Sequence, residues 1–150
     1  MSAPTPRRIV VCVDDNPEVL QALRRQLRLG LAVGARVEVA SDPSQALARL
    51  EALAPRPDEA VLIVSDWLMP GMRGEELVRA IEARWGALAT VVLSGHITHE
   101  ATKALEAMPQ VAAILRKPWS SEELLALVTS LLERDVGPDA ARPVGERETR

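Results

Sequence analysis

Short apolar runs alternate with amphipathic stretches along this chain, and the alternation repeats five times. Ile9-Val10-Val11-Cys12-Val13 is a continuous apolar run closed by Asp14-Asp15, and it predicts a buried strand. Asn16-Pro17-Glu18 then opens a helix: a capping side chain, a proline for the first turn, and an acid. Leu20, Leu23 and Leu27 continue that helix at three- and four-residue spacing, with Arg24, Arg25 and Arg28 on the other face. Arg36 to Ala40 alternates as a second strand. Ser41-Asp42-Pro43 starts a second helix with Ala46, Leu47, Leu50 and Leu53 as its apolar stripe, and Pro55-Arg56-Pro57 ends it.

Ala60 to Val64 is the most apolar of the runs, as the central strand of a parallel sheet requires, and it leads directly into Ser65-Asp66. Met69-Pro70-Gly71 predicts a loop, and Gly74 to Arg84 a third helix with Leu77, Val78 and Ile81 inward. Thr90 to Ser94 is a fourth strand, Thr98 to Met108 a fourth and more weakly amphipathic helix, and Val111 to Arg116 a fifth strand ending at Lys117-Pro118. Ser120-Ser121-Glu122-Glu123 caps a fifth helix whose buried side is Leu124, Leu125, Leu127, Val128, Leu131 and Leu132. Strands and helices in strict alternation predict an α/β domain with a doubly wound parallel sheet. From Asp135 the chain turns to Gly, Pro and charge, so the folded domain is expected over 1–134 and a polar tail over 135–150. With no second domain after it, such a domain is expected to be read out by a separate protein.

Composition narrows the function classes. Three Trp and no Phe or Tyr among 150 residues leave few stacking platforms for single-stranded nucleic acid. A formal net charge of −3 offers no footprint for nucleic acid or an anionic membrane surface. Cys12 is the single cysteine and lies in an apolar run, which excludes an internal disulfide and fits a reducing compartment. No run approaches a membrane span, and the lead-in MSAPTPRR lacks the form of a signal peptide, so the expected location is the cytoplasm.

The chemistry-bearing residues fall at the ends of the predicted strands. Asp14 and Asp15 end the first, Asp66 the third, Ser94 the fourth, and Lys117 the fifth. The second strand carries no such group, which suits an edge position. In open α/β sheets, ligands bind outside the carboxyl ends of the strands. Taken singly, each residue has an ordinary reading as a cap, a turn residue or a loop residue. Their joint occurrence, each at a different strand end, points to one site. Three carboxylates brought together repel unless a cation sits among them, and Mg²⁺ suits such an all-oxygen set. Asp66 could then act as a carboxylate nucleophile toward phosphorus, with Lys117 as a point positive charge and the Ser94 hydroxyl as a donor.

The segments VVCVDDNP at 10–17, SDWLMPGMRG at 65–74, VVLSGH at 91–96 and ILRKPW at 114–119 carry a family resemblance. With them the chain resembles the receiver domains of bacterial two-component response regulators, over roughly Arg8 to Leu132. The likeness is to the stand-alone, chemotaxis type. The resemblance implies a (βα)5 flavodoxin-like fold and a phosphoryl group passed from a histidine kinase or histidine phosphotransfer protein to Asp66. It implies that Asp15 ligates Mg²⁺ directly, that Asp14 acts mainly through water, and that Asp66 and the backbone carbonyl of Leu68 complete the protein ligands. Ser94 would be the switch hydroxyl and Lys117 the contact to the phosphoryl group, followed by a Lys117–Pro118 bond that is usually cis. Catalysis would be limited to the domain's own phosphorylation and dephosphorylation, so no enzyme in the usual sense is expected. The downstream partner would be a separate protein, and a phosphorylation-dependent homodimer is compatible with the type.

One position departs from the family pattern. Three residues before the lysine the family carries Tyr or Phe, and this chain has Ile114. The alternative function is therefore a receiver-fold interaction module that works without phosphorylation. A phosphohydrolase is disfavoured, because Leu68 stands where such enzymes carry a second Asp, and a nucleotide-binding domain is disfavoured, because no Gly-rich phosphate loop follows the first strand. His96 and His99 lack further ligands at metal-site spacing and read as loop or surface residues. Trp67 reads as packing or rim, Trp85 as the close of the third helix, and the arginines of the first helix as a solvated face that could meet a kinase.

Overall fold

Four helices begin at side-chain caps that the sequence marks. The Asn16 side chain accepts the Glu18 N–H at 2.9 Å, Asp42 that of Gln45 at 2.8 Å, Thr98 that of Ala101 at 3.0 Å, and Ser120 that of Glu123 at 3.0 Å. Each such cap satisfies an otherwise orphaned helix donor and contributes about 1 kcal/mol. The structure, a computed structural model, describes residues 5–31, 34–69, 72–95 and 97–134. Pro70, Gly71, His96 and the expected tail over 135–150 lie outside the described residues.

In chain order the elements are β1 (Arg8–Val13), α1 (Pro17–Gly30), β2 (Ala35–Ala40), α2 (Pro43–Leu53), β3 (Ala60–Asp66), β4 (Leu68–Met69), β5 (Met72–Arg73), α3 (Gly74–Trp85), β6 (Ala89–Ser94), α4 (His99–Glu106), β7 (Val111–Arg116) and α5 (Ser121–Arg134). Five strands form one sheet in the order β2-β1-β3-β6-β7, and every pairing in it is parallel. This is the (βα)5 doubly wound architecture, with β2 at the edge as its lack of a polar end residue suggests. Parallel strands need crossovers, and each crossover here carries a helix onto one face of the sheet. Val10, Cys12, Leu62, Val64, Val91 and Leu93 pack against Leu23 and Leu27 of α1 and Leu124 and Val128 of α5. Ile9, Val11, Val13, Val61 and Ile63 face the other way, onto Ala46 and Leu50 of α2 and Leu77 and Ile81 of α3. Val92 and Val111 meet Leu105 of α4 in a third cluster that includes Trp67.

Two details differ from the sequence expectation. Where a loop is expected, Leu68 pairs with Arg73 and Met69 with Met72 in a small antiparallel ladder. A ladder of two residues per strand has no hydrophobic alternation to read. Helix α4 stops at Glu106 rather than Met108, because the chain tightens there and the Met108 N–H bonds to the Leu105 carbonyl at 3.0 Å. Helix α2 ends at Leu53, directly before its prolines as expected, and its cap Ala54 takes a left-handed conformation with φ 46° while donating its N–H to the Leu50 carbonyl.

Candidate functional site

Parallel register brings the predicted residues to one edge. Val13 lies beside Ser65 in the β1–β3 pairing, so Asp14 and Asp66 follow at the same level. Asp66 lies beside Leu93 of β6, and Ser94 beside Arg116 of β7, so Ser94 and Lys117 complete the row. One oxygen from each of Asp14, Asp15 and Asp66 can be chosen so that all lie within 4.8 Å of one another.

The two adjacent aspartates differ in environment. Asp14 is fully buried: its backbone N–H bonds to the Ala40 carbonyl at 3.2 Å, its Oδ1 accepts the Asn16 N–H at 2.9 Å, and its Oδ2 accepts Lys117 Nζ at 3.1 Å. Asp15 is exposed at the rim. Lys117 Nζ also donates to Asp66 Oδ1 at 3.1 Å, so one ammonium bridges two carboxylates. The Lys117 N–H donates to the Ser94 carbonyl at 2.7 Å, which ties the end of β6 to the lysine, and the Lys117–Pro118 bond is cis.

Electrostatics follow from this crowding. Burial raises the Asp66 pKa above the ordinary carboxylate value; the Lys117 hydrogen bond opposes that, and Asp14 and Asp15 add to it. Burial pulls the Lys117 pKa down, but its hydrogen bonds to Asp14 and Asp66 outweigh burial and hold it raised. With all three carboxylates ionised, one lysine leaves two negative charges uncompensated. A small divalent cation with oxygen preference fits such a set.

Ser94 supplies a second, independent sign of a ligand. Its Oγ is buried and has no hydrogen-bond partner among the described residues. A buried hydroxyl left unpaired costs about 1–3 kcal/mol, so its persistence here fits a donor held for a group that arrives. Nothing in the local sequence marks this orphan state; it exists because the end of β6 is buried between β3 and β7.

The other residues singled out in the sequence fall into place around this row. Leu68, the expected carbonyl ligand, sits in β4 two residues after Asp66. Ile114 is half-buried against the α4-side cluster with Trp67. His99 is exposed at the start of α4. Cys12 is buried with its thiol pushed up to about 12 by desolvation. Trp85 closes α3 and stacks under Arg84, 5.7 Å from guanidinium to ring centre. Sequence reasoning missed the second anchor of the lysine loop: Trp119 Nε1 donates to Gln26 Oε1 of α1 at 2.9 Å.

The family model for the response regulator receiver domain matches residues 10–129 of the chain. The chain belongs to this family. Among relatives of this receiver domain is the response regulator MprA of Mycobacterium leprae, 35% identical over 136 residues that make up 90% of this chain and 55% of that protein. The C4-dicarboxylate transport transcriptional regulatory protein DctD of Pseudomonas aeruginosa is 34% identical over 83% of this chain and 25% of its own length. The receiver thus spans about half the length of MprA and a quarter of DctD. Among solved structures, chemotaxis protein CheY4 of Vibrio cholerae superposes with a TM-score of 0.68 at 28% identity, covering 84% of this chain and 99% of that one. The receiver domain of an HD domain-containing protein from Pseudomonas fluorescens Pf-5 superposes with a TM-score of 0.73 at 24% identity, covering 100% of this chain and 98% of that one, and so shares the fold. Among the described residues no helix is long and apolar enough to cross a membrane.

Proposed function

We propose that this receiver domain accepts a phosphoryl group on Asp66 from a histidine kinase or histidine phosphotransfer protein and signals through a separate partner protein in the cytoplasm. The observation that carries the reading is the buried Ser94 hydroxyl, without a partner among the described residues, in the same row as Asp66 and Lys117. In the transfer, an Asp66 carboxylate oxygen forms a bond to phosphorus while the phosphorus–nitrogen bond of the donor's phosphohistidine breaks. The imidazole leaves with that electron pair and takes up a proton from solvent. Lys117 moves from bridging two carboxylates to holding a phosphoryl oxygen, and the Ser94 hydroxyl donates to another.

Mg²⁺ is the cation this donor set suits, with Asp14, Asp15, Asp66 and the Leu68 carbonyl as the protein groups to hold it. When bound, it offsets charge on the carboxylates and on the phosphoryl oxygens. Asp14 is buried and already engaged by Lys117 and Asn16, which favours its acting through water, while exposed Asp15 is free to ligate directly. The domain acts on itself alone in this scheme, and neither nucleic acid nor membrane is a partner.

The test is intact-mass measurement of the protein with acetyl phosphate, with and without Mg²⁺, beside Asp66→Asn. One added phosphoryl group that requires both the metal and Asp66 is the expected result. An unmodified wild type under acetyl phosphate and under a cognate kinase would refute the proposal and favour the interaction-module reading that Ile114 raises.

A further inference from the structure

Trp67 directly follows Asp66, and its backbone N–H donates to the Leu93 carbonyl at 2.9 Å, one residue before Ser94. Its side chain is 9% exposed and buried with Val92, Leu105 and Val111, against which Ile97, Ala101, Met108 and Ile114 also pack. Two segments leaving the site therefore converge on one apolar cluster: Asp66 through Trp67, and Ser94 through Ile97. Thr98, the cap of α4, comes next in the chain.

Helix α4 is lightly held. It has eight residues, and Leu105 is the residue it buries fully, with Ala101 half-buried and Met108 just beyond its end. The indole is the largest side chain in the cluster beneath it. The chain has no Phe or Tyr, and the other two tryptophans pack elsewhere, Trp85 with the α2–α3 core and Trp119 with the α1–α5 core. Few buried contacts mean a low free energy of local displacement, and a stiff ring transmits a shift that a flexible side chain would absorb.

We infer that Trp67 is the group that relays the state of Asp66 to α4, so that the position of α4 is read from the residue after the phosphoacceptor. The inference rests on the phosphoacceptor reading of Asp66. Phosphorylation replaces the single charge of the Asp66 carboxylate by about two on the phosphoryl group, a net gain of about one negative charge next to Trp67, and draws toward it the Ser94 hydroxyl, which has no partner among the described residues. Both ends of the cluster are then pulled at once: β3 shifts the indole, β6 shifts Ile97, and the helix whose floor they form repacks.

The experiment uses the full chain with acetyl phosphate and Mg²⁺, reading intact mass and hydrogen exchange of residues 97–108 on the same samples. Wild type is expected to gain one phosphoryl group and to change exchange in this segment. Trp67→Leu is expected to gain the same mass and lose the exchange response, and Trp67→Phe to keep part of it. A Trp67→Leu protein that is phosphorylated and responds like wild type overturns the inference. A second measurement avoids altering Trp67: in Trp85→Phe/Trp119→Phe, acrylamide quenching of the remaining indole should change on phosphorylation. Unchanged quenching alongside changed exchange in 97–108 overturns the inference even if Trp67→Leu does not fold. Wild type that gains no mass overturns the phosphoacceptor reading and this inference with it, and the mass channel separates that outcome from the others.

Discussion

Replacing Ser94 by alanine should make the resting domain more stable while making it a poorer phosphoacceptor. The Ser94 Oγ is buried without a partner among the described residues. Removing it abolishes a desolvation cost of about 1–3 kcal/mol. Against this stands the void left by one oxygen: roughly 15 Å³ at about 24 cal/mol per Å³ costs about 0.4 kcal/mol. The balance is a stabilisation of about 0.6–2.6 kcal/mol, or an increase in Tm of about 2–10 °C for a domain of this size. Urea unfolding followed by circular dichroism, in EDTA and without phosphodonor, measures it. The same protein should take up a phosphoryl group from acetyl phosphate about 10–100-fold more slowly, because a donor aimed at developing charge is gone. A loss of stability of 1 kcal/mol or more would refute the reasoning. It would mean that the hydroxyl is already bonded in the resting protein and is not held for a ligand.

Two further predictions concern the scaffold. Glu59 is buried, takes hydrogen bonds from the Arg7 N–H, Nε and Nη2 and from the Arg56 N–H, and has its pKa lowered from 4.5 to about 2, chiefly by the Arg7 hydrogen bonds against opposing burial. A lowered folded-state pKa stabilises the fold above about pH 4.5, and that contribution is lost as the pH falls toward 2. At about 1.4 kcal/mol per pH unit the full effect is roughly 3 kcal/mol, and solvent at the Arg7 side chain reduces it to about 1–2 kcal/mol. The stability difference between wild type and Glu59→Gln should therefore shrink between pH 5 and pH 3; a constant difference would refute it. Ala54 is exposed and holds φ 46° at the end of α2. Ala54→Gly should raise stability by about 0.5–1 kcal/mol, since relief of left-handed strain outweighs the added unfolded-state entropy; unfolding that is unchanged or weakened would count against it.

Local signals explain why so much was readable in advance. Asn16-Pro17 and Asp42-Pro43 mark helix starts because a cap and a first-turn proline act within three residues. Strands β1, β3 and β6 are legible because a parallel sheet buries both faces, and buried strands are apolar throughout. The row of Asp14, Asp66, Ser94 and Lys117 was legible because each residue stands at a strand end, and the chain direction of a parallel sheet puts all those ends on one side. The β4–β5 ladder was not legible, since two residues per strand make no pattern.

Sequence by itself thus determined the elements, their alternation, the sheet edge where chemistry gathers, and the residue types that meet there. Tertiary structure decided the relations between residues far apart in the chain. Lys117 bridges Asp14 and Asp66 across 103 and 51 positions, and no local pattern encodes that pairing. Asp14 and Asp15 are neighbours in sequence, yet one is buried beneath the lysine and the other faces solvent, a division set by the Asp14 N–H bond to Ala40 at the end of β2 and by Lys117, which reaches Asp14 from beyond the end of β7. The Ser94 hydroxyl has no partner among the described residues, and Trp67 lies beneath α4 with Ile114, because of packing between strands and helices that the chain acquires only on folding. Backbone preference and hydrophobic period act over a few residues, whereas burial and register are properties of the assembled sheet.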